Sequence, residues 1–215
     1  TAALPSGAIT INSFGGNVDI VPASGAVDLS CVLGPITITA AGDFTMVTTT
    51  AAESATIGFS GTGSVTITAG NDVILDNPIP GTVGILSTGF GFSSAPITID
   101  AGRHVIIGRN SGIISDNGPV LIKADRNIEM LAGSFIVYFA FGVGLPASPI
   151  TLVVDDQAPT APQIGNGAFL MDATAAIGFP GIGRVVPVQI FTALRSQNSV
   201  NGTFYGLPFI PGLYN

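Results

Sequence analysis

The chain has 215 residues, of which 47% are apolar and only 9% are charged, against about 25% charged in ordinary soluble proteins. That balance excludes a solvated disordered chain, which needs few apolar groups and high charge. No uninterrupted apolar run reaches the roughly 18 to 20 residues of a membrane helix, so the chain is not expected to span a membrane. The formal net charge is −7, and residues 1–102 carry seven acids and no Lys or Arg. Nucleic acid is therefore not an expected partner, because the basic stripe that would track phosphates is missing.

The chain opens Thr-Ala-Ala-Leu-Pro without Met, which fits a secreted protein whose leader has been removed. Six related segments then follow in order: AITINSFGGNVDI (8–20), PITITAAGDFTM (35–46), SVTITAGNDVIL (64–75), PITIDAGRHVII (96–107), PVLIKADRNIEM (119–130) and PITLVVDDQ (149–157). Their starts lie 27, 29, 32, 23 and 30 residues apart. In each, an Ile-Thr-Ile type run alternates with period two, so one face is apolar and the other hydroxylated. An Ala-Gly-Asn or Ala-Gly-Arg corner follows, where Gly is free to take positive φ, and a second extended run leaves in a new direction. Between copies lies a third β-rich piece: residues 26–33, 55–61, 82–90, 111–117 and 134–141. Pro35, Pro96, Pro119 and Pro149 recur just before a strand, where a missing N–H is tolerated.

Three short strands per unit of 23 to 32 residues match one coil of a parallel β-helix, in which stacked coils bury what a single coil cannot. The expected fold is all-β, a parallel solenoid of about five to six coils. A β-sandwich shares the short strands but not the sixfold strand–turn–strand signature, and a propeller blade needs about 40 residues or more. The expected division is solenoid repeats over 1–157 and an aperiodic C-terminal cap or assembly segment over 158–215. That last segment ends NGTFYGLPFIPGLYN (201–215), which carries no charge. Phe204, Tyr205, Leu207, Phe209, Ile210, Leu213 and Tyr214 are the candidate contacts to a neighbouring copy.

Segments 35–46, 64–75 and 96–107 resemble the filamentous-haemagglutinin-type repeats of secreted bacterial adhesins and fibre proteins. The resemblance implies a right-handed parallel β-helix and an extracellular, surface-exposed fibre or adhesin, over roughly residues 8–157. It implies no binding residues. The units here are longer and less regular than those of that family, and no two-partner secretion domain is recognisable.

Chemistry-bearing groups are few. Cys31 is the only cysteine and sits in an apolar stretch, so it reads as a buried small hydrophobe; its one candidate partner as a nucleophile is His104. One His and one Cys cannot build a structural zinc site. Asp72, Asp76 and Asn77 lack calcium-loop spacing. The Gly-rich runs 89–96 and 178–183 lack the Lys and strand–loop–helix setting of a phosphate loop. No metal, cofactor or catalytic residue is expected. The sequon Asn201-Gly202-Thr203 acts only in a host that glycosylates its secreted proteins.

Charge concentrates in one place. Asp100, Arg103, His104, Lys123, Asp125, Arg126 and Glu129 form a candidate polar patch, with Asp100 stacked on Lys123 and Arg103 on Arg126 in adjacent coils. The patch reads as a solvated charge ladder; the competing reading is a carbohydrate-binding or polysaccharide-cleaving groove. Hydrolysis wants two carboxylates across a cleft, whereas the adjacent Asp155 and Asp156 point to opposite faces of a strand. The expected function is structural: a secreted, extracellular or cell-surface subunit that self-associates into a filament or layer. A cell-surface glycan or host surface is the other candidate partner, as for an adhesin.

Overall fold

Each repeat folds as its alternation dictates: the β-branched residues that favour strands face inward, and a short corner, Gly-bearing in the first four coils, turns the chain after the first run. The structure is a computed structural model that describes residues 7–59, 61, 63–78, 81–87, 95–139, 148–154, 167–178, 186–192 and 198–205. The first coil consists of β1 (Ile9–Ser13), β2 (Val18–Ile20) and β3 (Ala26–Cys31). The second has β4 (Ile36–Ala40), β5 (Phe44–Val47) and β6 (Ser54–Phe59), and the third β7 (Val65–Ala69), β8 (Val73–Asp76) and β9 (Thr82–Ser87). β10 (Ile97–Ala101), β11 (Val105–Ile107) and β12 (Ser111–Asp116) form the fourth. β13 (Val120–Ala124), β14 (Ile128–Met130) and β15 (Phe135–Phe139) form the fifth. The sixth contains β16 (Ile150–Val154), β17 (Phe169–Met171) and β18 (Ala176–Gly178). The seventh contains β19 (Val188–Phe191), β20 (Ser199–Val200) and β21 (Thr203–Tyr205).

Equivalent strands of successive coils pair in parallel, giving three seven-stranded sheets. Sheet 1 runs β1-β4-β7-β10-β13-β16-β19, sheet 2 runs β2-β5-β8-β11-β14-β17-β20, and sheet 3 runs β3-β6-β9-β12-β15-β18-β21. The fold is thus a parallel β-helix. It has seven coils rather than five to six, because the stretch after 158 supplies β17 to β21. The seventh coil escapes the repeat pattern for a simple reason: Val-Gln-Ile-Phe replaces Ile-Thr-Ile, and 38 residues separate Ile150 from its partner Val188.

Register is strict. In sheet 1, Ile11, Ile38, Ile67, Ile99, Ile122, Leu152 and Ile190 form one inward column. Ile20, Met46, Leu75, Ile107, Met130, Met171 and Val200 form one in sheet 2. Leu29, Ile57, Ile85, Ile113, Ile136, Ile177 and Phe204 form one in sheet 3. These columns build one continuous core along the stack. The proline positions find their use here: the N–H groups of Ile9, Val65, Ile97, Val120 and Ile150 donate to the carbonyls of Pro35, Pro96, Pro119, Pro149 and Pro187.

The Gly at the corner after sheet 1 is needed for a reason other than positive φ. A Cβ on Gly70 would run into the Ala41 carbonyl, and one on Gly102 into the Gly70 carbonyl, while neither residue is left-handed. Close stacking of the corners, not backbone handedness, excludes a side chain there.

Candidate functional site

The corner between sheets 1 and 2 carries most of the candidate patch. The residue before each sheet 2 strand is Asn17, Asp43, Asp72, His104 and Asn127 in the first five coils, and the Asn and Asp side chains among them form a ladder. Asn17 Oδ1 accepts from the Asp43 N–H at 2.9 Å, Asp43 Oδ1 from the Asp72 N–H at 3.2 Å, and Asp72 Oδ1 from the His104 N–H at 3.1 Å. Asn127 Oδ1 accepts from the Ala168 N–H at 3.0 Å, and Asn198 Oδ1 from the Phe169 N–H at 2.9 Å. Each of these Asn and Asp side chains thus satisfies a backbone donor of a neighbouring coil, whereas His104 Nδ1 is buried with no hydrogen-bond partner among the described residues. The ladder has a sequence signal in the Asn or Asp that precedes the second run in the repeats at 8–20, 35–46, 64–75 and 119–130, with His104 in its place at 96–107.

Arg103 caps the acidic part of this ladder. Its Nε donates to Asp72 Oδ1 at 3.1 Å and its guanidinium forms an ion pair with Oδ2. Hydrogen bonding to Asp72 first, then the charges of Asp72 and Asp43, raise the Arg103 pKa above its ordinary value. At the opposite end of β8, Arg109 pairs with Asp76 at 3.1 Å and its N–H donates to the same carboxylate at 2.8 Å. Both of these bridges tie the third coil to the fourth, the place where the all-acidic part of the chain meets its first cations.

The remaining patch residues are spread over two faces. Asp100 and Lys123 are partners on the outer face of sheet 1, and the Arg126 N–H donates to the Arg103 carbonyl at 2.7 Å, so both stacking expectations match the register. The acid paired with Arg103 is Asp72. Glu129 points outward from β14 and accepts from Asn127 Nδ2 at 3.3 Å. Arg103 is half-exposed and ion-paired with Asp72 at this corner. Cys31 and His104 are not brought together: the first is in the first coil and donates from Sγ to the Gly7 carbonyl at 2.6 Å, the second is in the fourth. Among the described residues no group of three His, Cys, Asp or Glu gathers to hold a metal. No helix among them is long and apolar enough to cross a membrane. Asp155 and Asp156 lie outside the described residues.

Two acids that sequence reasoning passed over have the most distinctive environments. Glu53 is buried, and its carboxylate accepts from the N–H groups of Thr49 at 2.7 Å and Thr50 at 3.0 Å. The bond from Thr49 leads the causes that hold its pKa below the ordinary carboxylate range. Asp116, at the end of β12, is 7% exposed, and burial pushes its pKa up to about 6.

The ends of the stack differ from its middle. Ile9, Ile11, Val18, Val27 and Leu29 of the first coil, and Val188, Val200 and Phe204 of the seventh, are only partly buried against the core. Around the first coil Phe14 is 93% exposed, Leu33 54% and Val21 49%. Among the candidate tail contacts, Phe204 and Tyr205 belong to β21, Phe204 facing the core and Tyr205 exposed. Leu207, Phe209, Ile210, Leu213 and Tyr214 lie outside the described residues.

Comparison with protein-family models, with curated proteins and with solved structures finds no match to this chain.

Proposed function

We propose that this chain is a structural subunit of an extracellular filament or surface layer, self-associating through the ends of its solenoid and its uncharged C-terminal tail. The observation that carries the reading is at the ends of the core: columns sealed in the inner coils end in the partly buried Ile11 and Leu29 on the first coil and Val200 and Phe204 on the seventh, while Ile20 and Ile190 are already buried. The low charge of the whole chain and its resemblance to adhesin and fibre repeats support an extracellular setting. Arg103 and Arg109 are each taken up in an ion pair with a carboxylate of the neighbouring coil, which favours a structural over a carbohydrate-cleaving role.

Negative-stain electron microscopy of the purified full chain over a range of concentrations tests this. Rods longer than one solenoid, growing with concentration, are the expected result. Single short rods at every concentration would overturn it.

A further inference from the structure

We propose that association is head to tail, with the seventh coil of one copy stacked on the first coil of the next in the register the chain uses internally. This rests on the self-associating reading above and names its contact surface. Among the described residues, β1, β2 and β3 are the end strands of the three sheets on one side and β19, β20 and β21 on the other. An exposed edge is a template for a further strand, and a parallel sheet is extended by another parallel strand.

Continuing the register predicts every facing pair. Val188 falls on Ile9 and Ile190 on Ile11 in sheet 1, Val200 on Ile20 in sheet 2, and Phe204 on Leu29 in sheet 3. In two of these pairs, Val188 with Ile9 and Phe204 with Leu29, both side chains are only partly buried in the single chain, whereas Ile190 and Ile20 are already buried there. The outward positions match as well. Asp28 already accepts a hydrogen bond from Thr56 Oγ1 at 3.1 Å, its partner in the second coil. The same column ends in Thr203, which supplies a second hydroxyl to the other side of Asp28. Asp19 likewise meets Ser199.

Charge selects this arrangement over its rivals. The described acids of the first coil, Asp19 and Asp28, are both exposed, so pairing two first coils brings carboxylates together, which is unfavourable. The described residues of the seventh coil carry no charge, and residues 173–215 hold Arg184 and Arg195 without an acid. Unlike ends joined in this way make a heterologous contact, which generates an open filament when the rotation does not close.

Cysteine cross-linking in the full chain tests the register. Thr10 and Gln189 share the outermost outward column of sheet 1 and are both exposed, and adjacent parallel strands bring their Cα atoms within disulfide reach. With oxidised glutathione as electron acceptor, the double variant Thr10→Cys/Gln189→Cys is expected to give a ladder of covalent multimers. Neither single variant should give more than traces, and Asn12→Cys/Gln189→Cys, two residues out of register, should give far less. Dimers from Thr10→Cys alone, or equal ladders from both double variants, would overturn the arrangement. Wild-type rods without cross-linking would overturn this contact while sparing the self-association; absence of rods would remove both. Charge at the contact gives an independent reading. Thr203→Glu should raise the concentration needed for association by up to about fivefold, and Thr203→Lys should lower it; no change in either would overturn the pairing with Asp28.

Discussion

Ile11 and Ile67 stand in the same column of the first sheet, on strands of nearly identical sequence, yet Ile67 is fully buried and Ile11 is not. The difference is one of position alone: Ile67 has a coil on each side, Ile11 on only one. Full burial of an aliphatic side chain is worth about 1.5–3 kcal/mol. In a solenoid that sum is collected in full where a side chain is covered on both sides, as at Ile67, and only in part at Ile11. A coil is therefore not a unit of fixed stability; its worth depends on where it sits.

Truncation at the two positions gives the largest effect and the most direct way to break this comparison. Ile67→Ala should cost about 2–5 kcal/mol by opening a cavity that sealed walls cannot close. Ile11→Ala should cost roughly 1 kcal/mol in the dispersed chain, since its site can relax and take up water. Equal losses in denaturant titration would show that the terminal coil is sealed after all. Above the association threshold the Ile11→Ala loss should grow toward that of Ile67→Ala, which sharpens the comparison.

A smaller effect of opposite sign is expected inside the stack. Asp116 titrates near 6 in the folded chain, against about 3.9 when unfolded. Between those values the folded state holds more protons, so the contribution of Asp116 is most favourable below the unfolded value and is lost as pH rises through 6. Asp116→Asn should accordingly raise stability at neutral pH by about 1–2 kcal/mol, with the gain vanishing below about pH 4. A loss at neutral pH in thermal melts would mean that the carboxylate is held by a partner that offsets its burial. Glu53 works the other way: its contribution is present above the ordinary carboxylate pKa and lost as pH falls.

The smallest expected effect is at the coil 3 to coil 4 corner. Arg103 is half-exposed, and a screened pair of this kind contributes about 0–1 kcal/mol. Arg103→Ala should shift stability within that range and less at high salt, by denaturant titration at two ionic strengths. A larger loss would show that the Asn17–Asp43–Asp72 ladder depends on its cap.

Much of the fold was legible in the sequence because the signal was repeated. Ile-Thr-Ile before an Ala-Gly corner appears often enough that β4, β7 and β10 could be placed with their partners. The seventh coil was not legible by the same rule, since β19 keeps only the proline and the alternation: Pro187 stands where Pro149 and Pro119 stand, ahead of Val188 and Ile190. Of the candidate patch, the stacking of Asp100 on Lys123 was readable from alignment of repeats, and the pairing of Arg103 with Asp72 was not, because it joins neighbouring positions in different coils. Burial of Asp116 had no local signature: Ser-Asp-Asn-Gly reads as a solvent-exposed turn.

The hydrogen bonds of all three sheets run from coil to coil, hence along the axis of the stack. Tension applied along that axis through the terminal coils would not unzip one bond after another. It would be shared across every bond of a coil boundary in three sheets at once, on the order of a dozen, so that the boundary fails as a group or not at all. A filament continued in the same register would have no weaker boundary between copies than within them in this respect, and its strength in tension would be set by the width of one coil, whatever its length.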